Sequence, residues 1–146
     1  MAASQGQLSG MQGVFLVAAE LAGRGFTVST TSRNAMGADL LITDGQCRKA
    51  WSVQVKTNAG AANFWLVGSQ AADHVSESHV YVFVNLRRHR NQKLPPQFLV
   101  VPSDQVARKV EKSIRSTGSV WYSFSHIFAP DGSADSIGWE VFGTPG

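Results

Sequence analysis

The stretch that decides the fold is GADLLITDGQCRKAWSVQVKT, residues 37–57. Apolar residues alternate with more polar ones in both of its halves, which is typical of two half-buried strands, and Asp44-Gly45 supplies turn chemistry between them. We therefore predict a hairpin of strands 38–44 and 49–57. A four-residue loop after Asp44 would place Asp44 opposite Lys49.

This register brings polar side chains together. Asp39 would lie directly opposite Gln54, with Cβ atoms about 5 Å apart, and Lys56 would lie on the adjacent diagonal. A carboxylate, an amide oxygen and an ammonium group on one patch suit a hard cation beside a phosphate. Solvated polar residues on the wet face of a hairpin are the simpler interpretation of the same pattern. Three apolar residues of the second strand would point into a core on the other face: Trp51, Val53 and Val55.

Asp39 with Gln54-Val55-Lys56 resembles the D…(E/Q)xK core of the PD-(D/E)XK nuclease superfamily, in which a helix precedes a strand meander of this kind. The motif looks like that of a bacterial branch with Gln-Val-Lys in place of the acidic version, and archaeal Holliday junction resolvases share the order of elements. The resemblance covers residues 10–142 and extends to Val17-Ala18-Ala19-Glu20-Leu21, Arg24-Gly25-Phe26, Thr31-Ser32-Arg33-Asn34, Phe64-Trp65-Leu66, the segment 81–86 and Val101-Pro102-Ser103.

The resemblance implies an α/β domain with a central mixed sheet flanked by helices, built like a restriction-endonuclease core. It also implies a Mg²⁺-dependent DNA endonuclease, with Mn²⁺ as a possible substitute, that leaves a 5′-phosphate. Asp39, the side-chain oxygen of Gln54 and the carbonyl of Val55 would be the metal ligands. Lys56 would orient the attacking water or stabilise charge on the phosphate. A homodimer is implied because related enzymes cut both strands with two copies.

One position departs from the resolvase-like pattern. Those proteins carry an acidic residue on the first helix, about three turns before the Gly-Phe that leads into the first strand, and that position here is Val14. The nearest acid, Glu20, lies about 120° around the helix from Val14 and is placed to pair with Arg24. The alternative is therefore a catalytically decayed module that binds DNA or a protein partner.

Charge is unevenly distributed. The net charge is +3, yet residues 84–115 hold eight Lys and Arg against two acids, Asp104 and Glu111. Such a basic region can neutralise nucleic-acid phosphates, although a solvated basic loop and helix face give the same pattern without a partner. For Asn34, a structural role in a turn explains the sequence as well as a contact to DNA does. We predict that six residues contact DNA: Arg33, Asn34, Arg87, Arg88, Arg90 and Lys93.

The rest of the chain predicts one domain, residues 9–146, after a flexible tail of residues 1–8. A capping box at Ser9 and Gln12 would open the first helix and Gly25 would end it. A second helix would run from Pro102-Ser103 to Gly118, with Val106, Val110 and Ile114 on one face. Further strands are expected at residues 26–31, 64–67, 79–86 and 97–101.

Several classes of protein do not fit the sequence. It has no apolar run long enough for a bilayer. No secretory signal is expected, and the lone cysteine, Cys47, is expected to be a free thiol in a reducing cytoplasm. The four histidines lack cysteine partners and HExxH spacing, so no zinc site is expected. Phosphate-cradling loops are also absent, since the fourteen glycines show neither GxxxxGK nor GxGxxG.

Overall fold

The computed structural model describes residues 2–32, 37–89 and 92–145. These residues form two α-helices, eleven strands and two short 3-10 helices. The helices are α1 (Gln5–Gly23) and α2 (Ser103–Lys109), and the 3-10 turns are Ser69–Ala72 and Trp139–Phe142. The strands are β1 (Thr27–Thr30), β2 (Leu40–Thr43), β3 (Ala50–Asn58), β4 (Phe64–Val67), β5 (His79–Asn85), β6 (Arg88–His89), β7 (Gln92–Lys93), β8 (Gln97–Pro102), β9 (Glu111–Ile114), β10 (Val120–Ser125) and β11 (Ser136–Ile137).

A mixed six-stranded sheet forms the centre, in the order β1-β2-β3-β5-β8-β11. The first three strands are an antiparallel meander, β5 runs parallel to β3, β8 is antiparallel to β5, and β11 is parallel to β8. A smaller antiparallel sheet has the order β4-β10-β9. The chain is therefore an α/β domain with a mixed central sheet. Within the described ranges, no helix has the length and apolarity to span a membrane.

The central sheet separates two hydrophobic clusters. On one face α1 packs with Val17 and Leu21 against alternate residues of the sheet, among them Val53 and Val55. On the other face the smaller sheet contributes residues such as Trp65, which packs with Phe83 of β5. Since β5 is covered on both faces, its run of apolar residues is continuous, as expected of a buried central strand.

Helix α1 begins earlier than predicted. Its N-cap is Ser4, whose side chain accepts from the Gln7 N–H while the Gln7 side chain accepts from the Ser4 N–H. Both Ser4–Gln7 and Ser9–Gln12 have capping-box spacing, and the structure uses the first. The expected start at Ser9 is therefore wrong, and residues 5–8 belong to the helix rather than to a tail. The predicted stop is confirmed: Gly25 has φ +101°, and Phe26 N–H donates to Leu21 as in a Schellman motif.

The predicted hairpin is formed by β2 and β3. Leu40 pairs with Val53, Thr43 with Ala50, and the Asp44 N–H donates to the Lys49 carbonyl, so the expected register and loop length are confirmed. The buried Asp44 carboxylate accepts a hydrogen bond from the Arg48 N–H at 2.8 Å. This bond holds the pKa of Asp44 below its ordinary value, although burial opposes it.

The second helix is much shorter than predicted. Helix α2 ends at Lys109, Val110 is extended, and residues 111–114 form β9, which pairs with β10. The spacing of Val106, Val110 and Ile114 suggested one apolar helix face, but Ile114 is 71% exposed in the strand. The predicted helix through Ile114 to Gly118 is wrong because the neighbouring strand β10 offers a ladder that the local pattern does not record.

The two ends of the chain meet in the first hydrophobic cluster. Phe26, Trp51 and Phe142 form an edge-to-face aromatic triad, with each pair of ring centroids 5.7–5.9 Å apart. Trp139 is also buried there and packs on Phe98. The aromatic segment at residues 139–142 thus closes over the sheet.

Candidate functional site

Strand β2 departs from a regular ladder at Asp39. The Asp39 N–H donates to the Val53 carbonyl at 2.8 Å, although Leu40 is the partner of Val53 in the ladder. Two residues of one strand thus lie opposite one residue of the other, which is a β-bulge. The bulge displaces Asp39 from its expected position directly opposite Gln54, because the regular pairing ends at Leu40.

The bulge lets the side chain of Asp39 replace a backbone acceptor. Asp39 Oδ2 accepts a hydrogen bond from the Val55 N–H at 2.7 Å. In a regular continuation of the register, the Ala38 carbonyl would take that N–H, but Ala38 O accepts from the Thr31 hydroxyl instead. The carboxylate is therefore held at the end of β2 against the middle residue of Gln54-Val55-Lys56.

Asp39 lines a groove between α1 and the ends of β1 and β2. The groove has a volume of about 490 Å³. Its apolar wall comes from α1, where Phe15 is 57% exposed, and its polar wall comes from Thr31 and Asp39. The described residues that line it are Gln7, Gly10, Met11, Val14, Phe15, Thr30, Thr31, Ser32, Asp39 and Val55.

Gln54 and Lys56 belong to the other face of β3. In the parallel register Gln54 pairs with Tyr81 and Lys56 with Phe83, and both of these partners belong to the cluster on the face away from α1. Both side chains are half-buried, and neither is among the described residues that line the groove. The structure thus brings Asp39 and Val55 into contact, and places Gln54 and Lys56 on either side of Val55 with their side chains on the second face.

The structure shows how two positions of α1, Val14 and Glu20, lie relative to the groove. Val14 lines the groove that contains Asp39, so the position of the missing acid does face the candidate site. Glu20 lies outside it and pairs with Arg24, as predicted, with 3.0 Å between Arg24 Nε and Glu20 Oε1. Across the described part of the chain, no three His, Cys, Asp or Glu side chains come close enough to hold a metal together. Among the described residues that line the groove, Asp39 supplies the carboxylate.

The predicted DNA contacts divide into several groups. Arg87 is mostly buried and forms an ion pair with Asp135, which uses the guanidinium within the protein. Arg88 is exposed and bonds to Ser9 and Gln12 of α1. Arg33, Asn34 and Arg90 lie outside the described residues, and so does the side chain of Lys93.

Arg87 belongs to a buried polar network that the sequence did not indicate. Asn85 is 1% exposed, and its amide joins the side chains of Asn58 and Gln97 to the backbone of Ala62. Gln97 in turn donates to Asp135 at 2.9 Å. Burial raises the pKa of Asp135, but the hydrogen bonds from Gln97 and Arg87 outweigh it and lower the pKa below its ordinary value. A polar residue ending a buried apolar strand was the available signal for Asn85.

A second unpredicted pair lies on the Gln54 face of the sheet. Ser52 Oγ and His79 Nδ1 are 2.7 Å apart, across the start of the parallel β3–β5 ladder. Burial lowers the pKa of His79 below its ordinary value, with a further contribution from His74, although the hydrogen bond with Ser52 opposes the shift. The pair ties the hairpin to β5 next to the candidate motif.

No protein-family model, curated protein or solved structure matches this chain.

Proposed function

We propose that this chain is a Mg²⁺-dependent DNA endonuclease with a restriction-endonuclease-like core of the PD-(D/E)XK superfamily, acting as a homodimer. The observation that carries the proposal is the hydrogen bond from the Val55 N–H to Asp39, 2.7 Å long. It joins the two separated parts of the D…QxK pattern, which are 16 residues apart in the chain. A solvated hairpin face would not require the carboxylate to take the place of a backbone acceptor.

The atoms near this hydrogen bond that could bind a metal are hard oxygens, the ligand type that Mg²⁺ prefers. The N–H and C=O of one strand residue point to the same side, so the Val55 carbonyl also points toward Asp39. Asp39 and the Val55 carbonyl would hold the ion, whereas the Gln54 side chain starts on the second face of β3, so its amide oxygen is not a ligand in this arrangement. A bound Mg²⁺ would polarise the scissile phosphate and lower the pKa of a coordinated water. With one carboxylate the site is expected to bind metal weakly until substrate phosphate adds its charge.

We assign to Lys56 the role of stabilising negative charge on the substrate. It follows Val55 directly, but its side chain starts on the second face of β3, so the flexible four-carbon chain would have to reach past the end of β2 to a phosphate beside Asp39. Its ammonium group would stabilise negative charge that develops on the phosphate oxygens during attack by water. Such preorganised charge typically accounts for a 10²- to 10³-fold effect on rate, so loss of Lys56 should nearly abolish cleavage.

The test is nicking of supercoiled plasmid with Mg²⁺ or Mn²⁺, compared among wild type, Asp39→Ala and Lys56→Ala. Both variants should lose cleavage and retain DNA binding in EDTA. Lys49→Ala is the matched control, since it removes an exposed lysine from the other end of the same hairpin. Wild-type protein that produces no nicks with either metal would reject the nuclease.

The second candidate is a non-catalytic nuclease-fold module that binds DNA or a protein. The position of Val14 favours it, because an apolar side chain occupies the wall of the groove opposite Asp39 where an acid is expected. Val14→Glu would add a carboxylate to that wall. If the ancestral site has decayed, Val14→Glu should raise Mn²⁺ affinity measured by calorimetry, whereas Ala18→Glu, one turn further along α1, should not.

A further inference from the structure

The side of α1 that points away from the central sheet is apolar and exposed. Leu8 is 43%, Met11 is 41% and Phe15 is 57% exposed, and the alanines at positions 19 and 22 are exposed as well. At 100° per residue, these five side chains lie within about 80° of one another around the helix axis. They therefore form one continuous strip along the helix. We call it the α1 stripe and define it by Leu8, Met11, Phe15, Ala19 and Ala22.

The α1 stripe carries no charge. Residues 5–19 contain no Asp, Glu, Lys or Arg. The first acid, Glu20, lies about 140° around the helix from Phe15 and pairs with Arg24 instead. The opposite side of α1 is buried against the sheet through Val17 and Leu21. A helix at a protein surface normally has charged residues on its solvent side, whereas one that is apolar on both sides is normally covered.

The sizes of the side chains along the α1 stripe fit a second copy of the helix that runs antiparallel. The large residues Leu8 and Met11 lie in the first half of the stripe, the small residues Ala19 and Ala22 lie in the second half, and Phe15 lies midway. With Phe15 on a two-fold axis, Leu8 of one copy faces Ala22 of the other, and Met11 faces Ala19. Large side chains thus meet small ones, as interdigitated packing requires. Two parallel copies would instead place Leu8 against Leu8 and leave Ala22 against Ala22.

We propose that the α1 stripe binds the α1 stripe of a second copy of this chain, as an antiparallel helix pair with its two-fold axis at Phe15. The pair overlaps over residues 7–23, about 26 Å of helix, and it opposes no two charged side chains of the stripe. A bilayer surface fits less well, because helices that lie on membranes carry Lys and Arg beside their apolar side. One helix pair is a small interface, so this dimer should dissociate on dilution.

This pairing would form the homodimer of the proposed function, on which its biological role rests, but it uses no assignment made to Asp39 or Lys56. Met11 and Phe15 also line the groove that contains Asp39. The two grooves of the dimer would therefore lie beside the two-fold axis rather than at opposite ends of the particle.

The first test is sedimentation velocity in EDTA, without DNA, from about 1 µM to about 1 mM protein. Wild type should shift from monomer to dimer as its concentration rises. Phe15→Lys places two lysines against each other at the axis and should weaken the dimer tenfold or more. Leu41→Lys is the matched control: it charges an apolar residue that is 52% exposed on the other face of the sheet, and it should dimerise as wild type does. Circular dichroism checks that each variant is folded.

The second test reads the direction of the helices. In a Cys47→Ser background, Phe15→Cys should be joined into a covalent dimer by a short bis-maleimide, because the two copies of residue 15 meet at the axis. Leu8→Cys should not be joined, because the two copies of residue 8 lie about 21 Å apart along an antiparallel pair. A parallel pair would join both variants.

Three results would overturn the proposal: wild type that stays monomeric up to 1 mM, a dimer that Phe15→Lys leaves unchanged, or a covalent dimer formed by Leu8→Cys. Binding of wild type, but not of Phe15→Lys, to phosphatidylcholine–phosphatidylserine vesicles would instead make the stripe a lipid-binding surface. Since neither test contains DNA or metal, a failure here leaves plasmid nicking to be judged on its own. Absence of nicking in turn leaves the dimer measurable.

Discussion

Gly13 of α1 lies directly against Thr57 of β3. A Cβ placed on Gly13 would overlap the Thr57 hydroxyl oxygen and touch its Cβ and Cγ2. The glycine therefore sets the distance between the helix and the sheet beside the candidate groove. Thr57 Oγ1 is also buried, and it has no hydrogen-bond partner among the described residues.

Gly13→Ala should lower the free energy of unfolding by about 1–3 kcal/mol, because overpacking outweighs the gain in helix propensity of about 1 kcal/mol. Urea denaturation measures the change. Gly10→Ala is the matched control: it lies on the same helix with nothing within 4 Å of its added Cβ, and it should stabilise the protein. Combining Gly13→Ala with Thr57→Ala should recover part of the loss, and no recovery would show that the strain lies elsewhere.

Asp39 should also contribute to stability, whatever its role in catalysis. Asp39→Ala leaves the Val55 N–H without its acceptor and should cost about 1–3 kcal/mol of unfolding free energy. Asp39→Asn keeps a side-chain oxygen and should cost less. Glu77→Ala, at an exposed acid before β5, serves as the control and should change stability by less than about 0.5 kcal/mol. Equal effects of Asp39→Ala and Glu77→Ala would mean that the bond to Val55 is not stabilising.

Stability should decrease as the pH falls below about 6.5, the ordinary pKa of histidine. Burial lowers the pKa of His79 and of His126 in the folded protein, so the unfolded chain takes up protons first in this interval. Proton uptake by the unfolded state favours unfolding, which gives a stability that rises with pH. His79→Gln should make the pH dependence of the urea midpoint between pH 5 and 7.5 shallower. An unchanged slope would contradict this assignment.

Charge reversal at Arg88 and charge reversal at Arg87 should have different effects. Arg88→Glu removes an exposed cation and should weaken duplex DNA binding across sequences while reducing the salt dependence by about 0.9 log unit per tenfold salt for each lost phosphate contact. Arg87→Glu places a second acid beside Asp135 and should act mainly by destabilising the fold. Anisotropy and urea unfolding on both variants distinguish the two effects. If Arg88→Glu lowered the stability and Arg87→Glu did not, the roles assigned to the two arginines would be wrong.

The hairpin could be predicted because its signals are local. Alternating residues and the turn at Asp44-Gly45 specify the register of β2 and β3, and Gly25 specifies the end of α1. The bulge at Asp39 could not be predicted, since alternation assumes one residue opposite one residue. The expectation that Asp39, Gln54 and Lys56 share a face depended on that assumption.

Pairings between distant segments of the chain could not be predicted from local sequence patterns. Arg87 reads as part of a basic loop, and its partner Asp135 follows 48 residues later. Strand β9 reads as a continuation of α2 because Val106, Val110 and Ile114 recur at helical spacing, and its ladder partner β10 comes only after Gly118. In both cases a tertiary contact determines the structure, and it overrides the preference of the local sequence.

The aromatic triad has a consequence for how the chain acquires its structure during synthesis. Val17 and Leu21 come from the first helix, whereas Trp139 and Phe142, which complete the same cluster, are made more than a hundred residues later. A nascent chain that has not yet reached residue 142 leaves the rings of Phe26 and Trp51 without their third member. The domain therefore cannot finish its core until the segment that ends at Phe142 has left the ribosome.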